Sequence, residues 1–107
     1  PIQVQVITIS EKHKEHAARV EEALKIAGVR VRVDDSDSTI GRKIRLHRKQ
    51  RPAYMVIIGD DEVSSGTVSV RGRSGSQRNG IPLDEFVAEI FAEIANRSTE
   101  LGIVPPE

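Results

Sequence analysis

Apolar positions along this chain follow two rhythms, alternation for strands and a 3.6-residue recurrence for helices. Residues 2–9, IQVQVITI, alternate at first and then run apolar, which predicts a strand buried on at least part of both faces. Ser10 can accept a backbone N–H as a cap, and Glu11 suits the positive first turn of a following helix. Ala17, Val20, Leu24 and Ala27 form the buried stripe of that helix, and Gly28 is its stop. Val29, Val31 and Val33 alternate with Arg30 and Arg32, giving a second strand with a polar outer side. A polar loop, Asp34 to Ser38, leads to a cap at Ser38 or Thr39 and a helix over roughly residues 40–50. Its inner stripe is Ile40 and Ile44, and Arg42, Arg45 and Lys49 lie outward. Pro52 breaks the chain, and Ala53 to Ile58 reads as a buried third strand. Two strand–helix–strand passes predict parallel strands with right-handed crossovers.

The second half is less regular. After Gly59 come three acids, Asp60, Asp61 and Glu62. The segment 62–64 either pairs with Thr67–Arg71 across a Ser65-Gly66 turn or belongs to a helical turn over 60–64. Residues 72–80, GRSGSQRNG, have the composition of a mobile loop. Leu83, Phe86, Val87, Ile90 and Ile94 mark one face of a last helix over 83–97, with Pro82 suited to its first turn. The tail, 98–107, is expected to fray. With 107 residues, the chain is expected to form one domain over 1–97.

Composition narrows the class. Apolar content of 37% suits a globular fold. No run approaches the ~20 apolar residues that span a bilayer, and no secretory signal is visible. Zero cysteines rule out disulfides and thiolate metal sites, and fit a reducing compartment. The start at Pro1 suggests a piece of a longer or processed protein.

Net charge is zero, yet the charges are segregated. Residues 38–59 hold six Lys or Arg and no acid, and residues 63–83 hold three Arg and no acid. That concentrates positive potential locally, which suits either a solvated basic helix face or a polyanion partner. With only two Phe and one Tyr, stacking of bases on exposed rings is not the expected mode. Base reading would fall to polar side chains, a Glu accepting from amino groups and an Arg donating to carbonyls.

Other chemistries lack their parts. His13 and His16 have a metal-sharing spacing but no third ligand, so they are expected at the surface, with no metal site. His47 is expected to be partly buried or to face phosphate. Asp34, Asp35 and Asp37 lack the Gly and Glu of a calcium loop, and the loop at 72–80 lacks a GK[ST] ending. There is no nucleophile elbow and no Cys nucleophile. No catalytic residue is assigned.

Several segments taken together are specific: PIQVQVITIS, AGVRVRVDD, IGRKIR, AYMVIIGDDEVSSGTVSVR and GIPLDEFVAEI. In this order and spacing they resemble the C-terminal anticodon-binding domain of class IIa aminoacyl-tRNA synthetases, most closely the threonyl enzymes, over almost the whole chain. The resemblance implies an α/β fold, a three-layer α/β/α arrangement with a mixed five-stranded sheet and three helices. It implies a tRNA-binding module that recognises the threonine anticodon and does no chemistry. ATP, Mg and Zn would belong only to an upstream catalytic domain, and this chain would hold no cofactor. Carried over, the anticodon-reading residues are Asp37, Glu62 and Arg71, and Arg42, Lys43, Arg45, Lys49 and Arg73 are assigned to tRNA phosphates. Asp37 stands where the family has Asn, which removes amide donors and adds negative charge. Arg42 stands where the family has an aromatic residue, and Pro52 lies one residue early. The family also implies a cytoplasmic homodimeric parent, with the isolated domain a monomer. A regulatory or protein-interaction module of the same fold is the alternative.

Overall fold

In the computed structural model, which describes residues 3–100, the alternating runs become strands of a single sheet. The strands are β1 (Val4–Thr8), β2 (Val31–Asp34), β3 (Tyr54–Ile58), β4 (Thr67–Gly72) and β5 (Gln77–Pro82). The helices are α1 (Lys14–Ile26), α2 (Ile40–Arg48), α3 (Asp60–Ser65) and α4 (Leu83–Glu100). The strand order is β2-β1-β3-β4-β5. β1 pairs in parallel with β2 and β3, and β4 is antiparallel to both β3 and β5, so the sheet is mixed.

Register places one apolar row across the sheet, with Val6 opposite Val33 and Val56, and Val56 opposite Val70. This side packs against Ala17, Val20 and Leu24 of α1 and Phe86 and Ile90 of α4. Alternation sends Gln5 and Ile7 of β1 to the opposite side, where they are also buried, and α2 packs over β1 there. The expected strand buried on both faces is therefore β1. Beyond it, the same side of the sheet carries partly exposed Thr67 and Arg71 and exposed Gln77 and Asn79.

Local chemistry sets the helix ends. Thr39 Oγ1 accepts from the Arg42 N–H at 3.3 Å, starting α2. At the end of α1 the Gly28 N–H donates to Lys25 O and the Val29 N–H to Leu24 O, both at 3.0 Å. Gly28 has φ +84°, which glycine adopts without a Cβ penalty, and Val29 and Leu24 meet in the core.

One open reading is resolved and three expectations change. Residues 60–65 form helix α3 rather than a strand paired with β4. The segment 72–80 is not a mobile loop: it ends β4, turns at 73–76 and opens β5. His13 and His16 are buried, not at the surface. His13 Nε2 lies 2.7 Å from Asp60 Oδ1, and His16 Nε2 lies 3.0 Å from Thr67 O, so both tie the first turns to the α3–β4 region. α4 continues to Glu100, past the expected end at Arg97, and the remainder of the predicted tail, 101–107, lies outside the described residues. No helix among the described residues is long and apolar enough to cross a membrane.

One side-chain hydrogen bond fastens α2 to the sheet. His47 Nε2 donates to Asp34 Oδ2 at 2.6 Å, both side chains being mostly buried. Burial alone would raise the Asp34 pKa, but hydrogen bonds from Ser36 and His47 overcome it and bring it from 3.8 to about 2. A depressed carboxylate contributes stability above its unfolded pKa and loses it as pH falls through the folded value. The contribution, about 1–2 kcal/mol, should therefore be complete above about pH 5 and vanish between about pH 4 and 2. Urea unfolding at stepped pH should show this slope in the wild type and a shallower one in Asp34→Asn.

Candidate nucleic-acid interface

Gly59 ends the β3 run and precedes α3, so the third helical residue, Glu62, can reach back over the helix start. Glu62 Oε1 accepts from the Gly59 N–H and Oε2 accepts from the Ser69 hydroxyl, both at 2.7 Å. A side chain at Gly59 would crowd this arrangement, because its Cβ would lie 3.2 Å from Glu62 Oε1 and 2.7 Å from Ile9 Cδ1. α3 closes at Gly66, with φ +68°, whose N–H returns to Glu62 O. The Glu62 carboxylate is thus held at the head of β4 with its remaining lone pairs unshared by these two donors. Neighbouring Asp60 turns the other way. Its pKa is lowered by the hydrogen bond from His13 and then by Lys12, whose Nζ lies at 3.3 Å.

Ser69 and Arg71 are two residues apart on β4 and point to the same side, about 7 Å from one another. Arg71 Nε donates to Gln77 Oε1 on β5 at 3.2 Å. Two clefts lie along this side. One, of about 710 Å³, is lined by Glu62, Ser69 and Asn79 over Ile57. The other, of about 620 Å³, is lined by Arg48, Arg51, Arg71 and Arg73 beside Met55. Gln77 lines both. Glu62 and Arg71 therefore share one sheet surface, at its acidic and basic ends respectively.

The other sequence-assigned residues divide. Arg42, Arg45 and Lys49 are exposed along α2, and Asp37 is exposed in the loop before it. Lys43 does not join them. It is 1% exposed, and its Nζ donates to Thr8 O at 2.8 Å and to Thr8 Oγ1 at 3.4 Å. On the helix, Ile40, Lys43, Ile44 and His47 form the stripe that faces the sheet, so the ammonium closes the end of β1 instead of meeting solvent. Arg73 is also partly engaged. Its Nη2 donates to Arg51 O at 2.7 Å, and its Nε lies 3.2 Å from both Arg51 O and Pro52 O. It staples the β4–β5 turn to the α2–β3 connection, where Arg51 is held at φ +53°, a strained value for a non-glycine residue.

Arg51, Gln77 and Asn79 were not singled out from the sequence, and Arg48 was noted only as extra charge on the basic helix. The signal available was the Q-x-N-x-I alternation before Pro82, hidden by the Gly and Ser around it. Among the described residues, no group of three or more His, Cys, Asp or Glu is placed to hold a metal ion.

The family model described as "Anticodon binding domain" matches residues 3–93. The chain is 43% identical over 97 residues to a threonine–tRNA ligase of Parafrankia sp., covering 91% of this chain and 15% of that protein. It is 45% identical over 98 residues to the threonine–tRNA ligase of Caldanaerobacter subterraneus subsp. tengcongensis, covering 92% of this chain and 15% of that protein. Among solved structures it resembles the RNA-binding domain of threonyl-tRNA synthetase from Cryptosporidium parvum, with a TM-score of 0.81 and 35% identity. That match covers 87% of this chain and 23% of the other.

Two substitutions test whether Lys43 and Arg73 hold the fold. Lys43→Met should lower unfolding stability by about 1–3 kcal/mol, since it leaves the Thr8 carbonyl without its donor. Arg73→Ala should cost about 1–2 kcal/mol, and Arg73→Lys should not restore it, because a single ammonium cannot reproduce the guanidinium's fork. Urea denaturation checks both. Unchanged midpoints would mean that these cations do not hold the fold.

Proposed function

The chain belongs to the anticodon-binding domain family, and from that premise we propose that it grips the anticodon arm of a threonine tRNA. It would do so for a synthetase whose ATP-dependent chemistry resides in another domain. The chain spans only 15% of the two threonine–tRNA ligases named above, which leaves ample length for such a domain in the parent protein. The regulatory-module alternative draws no support from these relatives, which are named as ligases.

The observation that carries the reading is one surface with a pinned acceptor and a pinned donor. Glu62 is held by Gly59 and Ser69, and Arg71 by Gln77. A carboxylate accepts from exocyclic amino groups and ring N–H groups. A guanidinium donates in pairs to guanine O6 and N7 or to a pyrimidine carbonyl. Unstacked anticodon-loop bases expose these edges. Since both side chains are already oriented, little rotamer freedom is lost on binding.

Phosphates fall to the cations beside this surface. Arg48 and Arg51 face the basic cleft with Arg71, and Arg42, Arg45 and Lys49 project from α2. These contacts set register and release counterions without reading sequence. Asp37 supplies an acceptor at the opposite end of α2, where it would meet only a donor edge. In this reading the isolated chain is monomeric and the parent enzyme is a cytoplasmic dimer.

The test is fluorescence anisotropy with two anticodon stem-loops, one carrying the threonine anticodon and one with its second and third bases exchanged. Arg71→Ala should cost about 1–3 kcal/mol more on the threonine RNA than on the exchanged one. Lys49→Ala should weaken both alike and reduce the slope of log K against log salt by about 0.7 to 0.9. Equal losses on both RNAs for Arg71→Ala would return Arg71 to the phosphate contacts, and an unchanged slope for Lys49→Ala would remove α2 from the interface.

A further inference from the structure

The cross-strand partner of Arg71 is Gln77. Its amide lies between two groups: Oε1 accepts from Arg71 Nε at 3.2 Å, and Nε2 donates to Asn79 Oδ1 at 3.0 Å. The direction of this chain of bonds is forced. A guanidinium can only donate, so Gln77 must present its oxygen to Arg71 and turn its NH₂ away. Asn79 must then answer with its own oxygen. Both amide orientations therefore follow from the arginine.

This relay engages the inner nitrogen of Arg71 and leaves Nη1 and Nη2 without a hydrogen-bond partner among the described residues. Those two N–H groups form the fork that a base edge or a phosphate would meet. The relay also lies where the two clefts join, since Gln77 lines both and Asn79 lines the cleft that holds Glu62. The register shift between β4 and β5 falls beside it, with Val70 opposite Arg78 but Val68 opposite Ile81. A bulge of this kind re-aims side chains on the longer strand. Here Gln77 and Asn79 share the uncovered side of β5, whereas Arg78, between them, pairs with Glu89 on the α4 side.

We propose that Gln77, braced by Asn79, is a specificity-determining positioning residue that aims the guanidinium of Arg71 at an RNA base. The inference rests on the RNA-reading role given to Arg71 and names the residue on which that role depends. Gln77 need not touch RNA itself. Its contribution is to hold a long, multiply rotatable side chain in one of its rotamers before binding, so that less order is imposed in the complex.

The experiment compares the full chain with Gln77→Met, Gln77→Glu and Asn79→Ala, using the same pair of stem-loop RNAs. The readout is the ratio of the two dissociation constants, in which sequence-independent charge effects cancel. Gln77→Met keeps the length of the side chain and removes the acceptor, and should lower the ratio at least about fivefold, the low end for one bidentate base contact. Gln77→Glu keeps the acceptor and should retain most of the ratio while weakening both RNAs. Asn79→Ala should give a smaller loss in the direction of Gln77→Met. In an Arg71→Ala background Gln77→Met should change the ratio no further, whereas independent contacts would give additive losses. A wild-type ratio well above one that Gln77→Met leaves intact, or additive losses, would overturn this proposal and leave the anticodon-binding reading standing. A wild-type ratio of one would overturn both.

Discussion

Three long helices cannot cover both faces of a five-stranded sheet. Strands lie about 4.8 Å apart and a helix with its side chains is about 10 Å across, so one helix covers roughly two strands. α1 and α4 together close one face over the apolar row through Val33, Val6, Val56 and Val70. α2 is alone on the other face and lies over β1. The outer part of that face, across β3, β4 and β5, has no long helix to bury it, so its residues answer to solvent and to whatever binds. This asymmetry explains why β4 is apolar on one side, at Val68 and Val70, and polar on the other, at Thr67, Ser69 and Arg71.

An uncovered sheet surface becomes a recognition surface only if its polar groups hold still. Here each end is fixed by bonds that originate in the fold. The start of α3 sets Glu62, the β4–β5 pairing sets Arg71, and the Arg73 staple holds the turn that joins those two strands. Even the buried histidines serve this end of the molecule. His13 reaches Asp60 and His16 reaches Thr67, so α1 and the turn before it anchor both ends of α3 from behind. The acidic start of α3 and the arginines of the basic cleft lie at opposite ends of the surface, which makes that surface electrostatically polar.

Elements with their own repeat were legible in the sequence. The α1 stripe, the Gly28 stop, a cap at Ser38 or Thr39 and the strand at 53–58 all follow from local periodicity and end chemistry. α3 was open between two readings because six residues are too few for a helical period to declare itself. β5 was missed for another reason. One of its sides faces solvent with Gln77 and Asn79, and the other carries Arg78, whose partner Glu89 lies on α4, so no apolar alternation survives until Ile81. Lys43 shows the limit of charge as a guide. A helix wheel puts it between Ile40, Ile44 and His47, and it is packing, with the Thr8 carbonyl waiting at the end of β1, that takes it out of solvent. Glu62 and Arg71 were named through resemblance to a family. Their supports, a bond from Ser69 on β4 back to α3 and a cross-strand bond between Gln77 and Arg71, are set by the fold and carry no periodic signal.

The central claim is that the uncovered side of β3, β4 and β5 is where RNA binds. Backbone amide chemical-shift mapping by NMR, during titration with the threonine anticodon stem-loop, tests it most directly. The account predicts perturbations centred on residues 55–57, 59–62, 67–73 and 77–79, extending to the exposed side of α2. Perturbations confined to the exposed sides of α1 and α4, with β4 and β5 unmoved, would contradict it.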